Sequence, residues 1–308
     1  MESVTESKQT TPGGLAYTLS GLSLLFAILC ALWTYIAWLS NSSVLDLARL
    51  HLFLTHHGDV LSSLGAFSSG LATILLAHEL GHALMAQNEF DGPPLWLPAP
   101  GLILPSLGGV QTTQTPLALK NPGWHALLGP LLGVAASLCC LLIGQLILLD
   151  TPYILEIDFG SQALLIQLLG QLGLGLELNA LQVAGWMGLL LSGLQLLPIG
   201  ATDGGQVLRT LLPGLHLPVS LITLVALTLF AFSLPMKVAM TWWVWAGFSV
   251  LHLFGNPVKA SETQRGLGSQ LLLASLWLPL VIGITQVTHL AIPEPVIPEA
   301  DVSRKVEL

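Results

Sequence analysis

Within an apolar run the chain reads Ala77-His78-Glu79-Leu80-Gly81-His82-Ala83. If that run is helical, His78 and His82 lie one turn apart on one face, and both imidazoles reach a single ion. Zinc suits them, because neutral imidazole nitrogen binds Zn2+ at about 2.0–2.1 Å in tetrahedral geometry. Glu79, beside the first histidine, can take a proton from water at such an ion without ligating it. Two histidines and a carboxylate at bilayer depth are costly, and residues of this kind mark functional sites. The plainer alternative is a pair of hydrogen-bonded histidines that stabilises helix packing. By chance HExxH arises in a chain of this length on the order of once in a hundred, so the metal reading is preferred.

A catalytic zinc needs a third protein ligand and an open position for water. Glu156, Asp158 and Glu177 flank a loop and read as solvated carboxylates. Asp203 differs. It lies in Leu196-Leu197-Pro198-Ile199-Gly200-Ala201-Thr202-Asp203-Gly204-Gly205, where proline and glycine break an apolar segment as it would leave the membrane. Broken helices at membrane depth build sites. Counting crossings puts the His82 end of the second segment and the Asp203 end of the fourth on one side. Asp203 is therefore the candidate third ligand, with plain helix capping as the alternative.

The elements that must position these residues follow from composition. Of 308 residues, 53% are hydrophobic and 8% charged, with a mean hydropathy of +0.77. An ordinary soluble domain carries about 25% charged residues, so neither a soluble core nor a disordered chain fits. The net charge of −8 and the lack of a basic stripe argue against a nucleic-acid partner. The expected fold class is an all-α membrane protein, a polytopic bundle of about seven transmembrane helices with a small membrane-associated β-hairpin region. Its expected surroundings are the lipid bilayer.

Apolar segments fall at about 17–39, 62–86, 124–149, 178–198, 217–233, 236–254 and 268–291. Trp33, Tyr35 and Trp38 end the first as an interfacial aromatic group. Residues 40–61 read as a polar loop, in which His51, His56 and His57 are solvated. Residues 87–123 are too rich in Pro and Gly for a helix and too apolar for a solvated loop, which fits short strands held against the protein. The domain reading is a flexible tail over 1–16, a first helix and polar loop over 17–61, a catalytic membrane core over 62–215, and C-terminal helices with an acidic tail over 216–308. The tail lacks the basic start and cleavage site of a signal peptide, so the first helix is expected to stay as an anchor.

Cys30, Cys139 and Cys140 sit in apolar runs and read as small buried hydrophobes. Trp242, Trp243 and Trp245 read as an aromatic belt or packing face. His125 reads as interfacial packing, with an approach to the metal site as the alternative. The positive-inside rule gives no orientation, since the basic residues divide almost evenly between the two sides of a seven-span chain.

Taken together the motifs resemble the site-2 protease family of intramembrane zinc metalloproteases. His78-Glu79-Leu80-Gly81-His82 is similar to the family's HExxH, and Gly129-Pro130-Leu131-Leu132-Gly133 to its GPxxG. The run from Gln195 to Gly205 is similar to its NxxPxxxxDGG, and Pro105-Ser106-Leu107-Gly108-Gly109-Val110 sits where relatives carry a membrane-associated strand hairpin. The resemblance covers roughly residues 60–215 and points to the branch without a PDZ domain, found in bacteria and plastids. It implies hydrolysis of a peptide bond within or near a substrate's transmembrane helix. Residue by residue it implies zinc on His78, His82 and Asp203, Glu79 as the catalytic residue that activates water, and substrate contacts from Gln195, Gly108 and Gly109. The family's Asn is Gln195 here, which offers the same amide one methylene further out. The implied location is a multi-pass protein of the bacterial cell membrane, or of a plastid or thylakoid membrane.

The 94–115 region could hold an extended substrate by strand addition or act as a passive re-entrant plug. Two rival functions remain at this level, a zinc-binding transporter or conduit and a catalytically inactive scaffold. A conduit has no need of a general base beside two closely spaced ligands, so Glu79 counts against the first.

Overall fold

The computed structural model describes residues 14–40, 45–58, 60–86, 94–99, 106–110, 121–146, 155–156, 177–234, 236–254, 267–285 and 294–295. In chain order the helices are α1 (Gly14–Leu39), α2 (Leu47–His56), α3 (Val60–Ala86), α4 (Pro122–Leu146), α5 (Ala180–Gln195), α6 (Asp203–Leu211), α7 (His216–Phe232), α8 (Met236–Phe254) and α9 (Leu267–Thr285). The strands are β1 (Leu95–Pro98), β2 (Ser106–Val110), β3 (Leu155–Glu156), β4 (Glu177–Leu178) and β5 (Glu294–Pro295). The described residues thus form an α-helical membrane bundle in which strands are confined to short pairs.

Four helical stretches, 14–39, 60–85, 122–146 and 213–232, are long and apolar enough to cross a membrane. Their burial is the reverse of a soluble helix. On α1 the large residues Leu15, Leu19, Leu22, Phe26 and Leu29 face outward, while the smaller Ala27, Cys30, Ala31 and Thr34 face the bundle. In lipid, apolar bulk gains nothing by hiding from solvent, and small residues let helices approach closely.

Helix α5 is the centre of the bundle, shielded by α3, α4 and α9. Of its 16 residues, all but Leu181 and Gln195 are buried, polar Gln182 and Ser192 among them. Glycine makes that possible: a Cβ at Gly185 would lie 2.7 Å from the Ser137 carbonyl oxygen of α4, and one at Gly188 2.8 Å from Ile74 of α3. The start of α5 is tied to the end of α4. The Asn179 side chain accepts from the Gln182 N–H at 3.1 Å, the Gln182 side chain accepts from the Asn179 N–H at 3.0 Å, and Asn179 Nδ2 donates to the Gly144 carbonyl at 2.6 Å.

Strands β1 and β2 pair antiparallel, with Trp96 opposite Gly109 and Leu97 opposite Gly108, and a register shift at Pro98. Strand β1 lies against α1, where the Trp96 N–H donates to Ser23 Oγ at 3.0 Å, and β2 touches α5. The strands expected in 87–123 are therefore present; the remainder of that stretch lies outside the described residues, apart from the start of α4. A second small sheet has the order β4-β3-β5, all antiparallel.

Two expectations need correction. Residues 40–61 are not simply a loop, because 47–56 form α2, whose first turn is capped by the Asp46 side chain accepting from the Arg49 N–H at 3.0 Å. His51 and His56 ride on that helix, and His57 follows it. Tyr35 is not interfacial. It is fully buried and stacks on Phe67 of α3, ring centroids 4.5 Å apart, which fixes α1 to the core. Of the three tryptophans on α8, Trp242 and Trp245 are buried, as a packing face requires.

Candidate metal centre

His78 and His82 project from the last two turns of α3, their ring centroids 4.9 Å apart and their Nε2 atoms 3.1 Å apart. One oxygen of Asp203, Oδ2, lies 3.4 Å from His78 Nε2 and 3.5 Å from His82 Nε2. All three side chains are nearly closed off, with 11–13% of each exposed. Glu79 follows His78 directly on α3.

The path of the chain into Asp203 is a hydrogen-bonded turn. After α5 ends, the Ile199 N–H donates to the Leu197 carbonyl at 2.8 Å and the Thr202 N–H to the Ile199 carbonyl at 3.0 Å. Gly200 takes φ 53°, a left-handed conformation that favours glycine. Thr202 then caps α6: its hydroxyl accepts from the Gly205 N–H at 3.2 Å and donates to the Leu197 carbonyl at 2.8 Å. With the cap supplied by Thr202, the Asp203 side chain is free to face the imidazoles. Both following glycines are steric necessities, since a Cβ at Gly204 would strike the Leu196 carbonyl and one at Gly205 the Gly200 carbonyl.

Helix α4 forms the floor beneath the histidines. His82 Nδ1 donates to the His125 carbonyl at 2.9 Å; a carbonyl only accepts, so the neutral ring keeps its lone pair on Nε2, facing Asp203. Pro130, inside α4, lacks the N–H that would bond the Ala126 carbonyl and loosens that turn. A Cβ at Gly129 would collide with His82 Nε2, and one at Gly133 would come within 3.3 Å of His78 Nδ1 and 2.8 Å of Ser192 Oγ. Gly81 meets the Leu128 backbone, so α3 and α4 cross backbone to backbone at the site.

The residues fit a tetrahedral cation. Two imidazole nitrogens and a carboxylate oxygen are a zinc donor set, and the edge of a tetrahedron with bonds near 2.0–2.1 Å is about 3.4 Å. The observed edges are 3.1, 3.4 and 3.5 Å. Among the described residues these three form the one cluster of His, Cys, Asp or Glu compact enough to hold an ion.

His125 joins the site rather than an interface. Its ring lies 5.0 Å from that of His82, and its Nδ1 is buried with no hydrogen-bond partner among the described residues. Gln195 is the last residue of α5, and Gly108 and Gly109 lie on β2, the strand that touches α5.

No family profile matches the chain, and no solved structure matches it significantly. It is similar to "Probable zinc metalloprotease EGY1, chloroplastic" of Arabidopsis thaliana, 27% identical over 158 residues that cover 46% of this chain and 28% of that protein. It is also similar to "Probable zinc metalloprotease EGY2, chloroplastic" of the same plant, 30% identical over 150 residues that cover 44% of this chain and 26% of that protein. The chain spans little more than a quarter of either relative's length. Over just under half its own length, the chain is thus similar to two chloroplast proteins named as probable zinc metalloproteases.

Proposed function

We propose that the chain is an intramembrane zinc metalloprotease that cuts a peptide bond within or near a transmembrane helix of membrane-protein substrates, in regulated intramembrane proteolysis. The observation that carries this reading is the His78–His82–Asp203 triangle, with edges of a zinc tetrahedron and a glutamate beside it. The seven apolar helices among the described residues (α1, α3, α4, α5, α7, α8 and α9) cross the membrane in this reading, in a bacterial cell membrane or a plastid membrane.

Zinc held by His78, His82 and Asp203 would polarise a peptide carbonyl and acidify water. The chain's own groups do the rest. Glu79 takes a proton from water as the water oxygen bonds to the carbonyl carbon, then returns it to the amide nitrogen as the C–N bond breaks; the second water proton passes from the new carboxylic acid to the amine, leaving a carboxylate and an ammonium. The His125 carbonyl keeps His82 in its ligating tautomer. A helical substrate hides its carbonyls, so it must be drawn out as an extended strand, and the β1–β2 hairpin offers main-chain groups to hold it. Gly108 and Gly109 on β2 and Gln195 at the end of α5 are the residues assigned to substrate contact in this reading.

Cleavage of a model membrane substrate by the purified chain tests this. Glu79→Gln is expected to keep its metal and lose about 10²- to 10⁴-fold in kcat, and His82→Ala to lose metal and activity together. Undiminished cleavage by either variant would sink the assignment.

A further inference from the structure

The turn that delivers Asp203 is held by helices that contribute no ligand. Gly200, three residues before Asp203, is gripped on both sides of its backbone by one face of α7: its N–H donates to Ser220 Oγ at 3.1 Å, and its carbonyl accepts from His216 Nε2 at 2.9 Å. His216 and Ser220 are four residues apart, one helical turn, so a single helix edge holds both backbone polar groups of one residue. Gly200 is also the residue with φ 53°. The other end of the turn is held from α9, where Trp277 Nε1 donates to the Leu196 carbonyl at 3.1 Å. Leu196 and Ser220 are fully buried, and Trp277 is 5% exposed.

Irregular backbone at membrane depth must have its polar groups met by protein. These three side chains meet them, and they do so on the segment whose position decides where the Asp203 carboxylate points. We propose that His216, Ser220 and Trp277 form a positioning clamp by which the C-terminal helices hold the third metal ligand in register with His78 and His82. This rests on the metal-centre reading above and gives residues 216–285 a task in it. Partners of metal ligands commonly change metal affinity by about 10- to 100-fold when removed. Asp203 has a single oxygen shared between two imidazoles, so a small shift of the turn breaks both approaches at once.

Cobalt(II) serves as the probe, because its visible absorption reports both affinity and the geometry of its ligands. Full-length protein in detergent is stripped of metal and titrated with cobalt, with Asp203→Ala as the benchmark for a lost third ligand. Ser220→Ala deletes one hydrogen-bonding group with little change of shape, and Trp277→Phe deletes the indole N–H together with ring volume, a loss that the Trp242→Phe control matches. Each is expected to weaken cobalt binding about tenfold and to move the spectrum toward that of Asp203→Ala, with the double variant approaching it. His216→Phe should do the same, whereas His216→Gln, which can place an amide N–H near the Nε2 position, should restore binding. Trp242→Phe, an equally buried tryptophan on α8 outside the clamp, should leave the spectrum unchanged even if it lowers Tm. Clamp variants that lose Tm but keep wild-type cobalt affinity and spectrum, beside an Asp203→Ala that loses them, overturn the clamp alone. Wild-type cobalt binding that Asp203→Ala leaves unaltered overturns both the clamp and the metal-centre reading.

Discussion

A methyl group at position 129 would enter the space of the His82 imidazole, and the backbone on which it sits cannot retreat without moving α4. Alanine is nonetheless a better helix former than glycine by about 1 kcal/mol. Gly129→Ala is therefore expected to keep or raise helix content, read by circular dichroism, while metal analysis shows the zinc lost. A variant that keeps both would mean that His82 does not need this floor. The pairing of His78 with His82 was legible in the sequence because helical periodicity alone brings an i, i+4 pair together. Asp203 was legible because Pro198 and Gly200 broke an apolar run beside it. His125 was legible only as the less favoured alternative, since its bond to His82 runs through a backbone carbonyl 43 residues away, and a carbonyl leaves no mark on residue type. Thr202 was equally silent: a threonine beside an aspartate gives two candidates for one cap, and coordinates decide between them.

At the scale of elements, glycine decides how closely α3, α4 and α5 can pack. Gly185 faces the backbone of α4 at Ser137, which has no rotamer with which to make room. Gly185→Val is expected to cost about 1–3 kcal/mol by overpacking, seen as a lowered Tm in detergent, whereas Gly214→Val, with open space around it, should leave Tm within error. The apolar segments were legible to within a few residues because lipid demands long, uniform runs. Helix α2 was hidden for the opposite reason. It is only 10 residues long, mixes Arg49, His51 and His56 among its leucines, and depends on the Asp46 cap rather than on a continuous pattern. The β1–β2 hairpin was readable as a region from its Pro and Gly content, but its register, and the shift at Pro98, came only from the pairing itself.

For the whole molecule, the β4-β3-β5 sheet bears on topology. It joins the segment after α4, the lead into α5 and the segment after α9, so these three must share one side. Seven crossings meet that condition and put the Asp203 turn on the opposite side, with the ends of α3 and the start of α4. Gly58 and Gly214 are exposed, and a side chain at either meets nothing. In a background without Cys30, Cys139 and Cys140, Gly58→Cys and Gly214→Cys are expected to react with an impermeant thiol reagent from opposite faces of a vesicle. Labelling of both from one face would refute the seven-span arrangement.

The Trp277 bond to the Leu196 carbonyl also orders events in time. During synthesis His78, His82 and Asp203 all enter the membrane before α9 exists, so every ligand is present while the turn between α5 and α6 still lacks its last support. If the chain is the peptidase proposed above, a newborn copy with its donors assembled but not yet aligned would cut poorly. Maturation of the active centre would then coincide with insertion of α9, a safeguard written into the order of the helices.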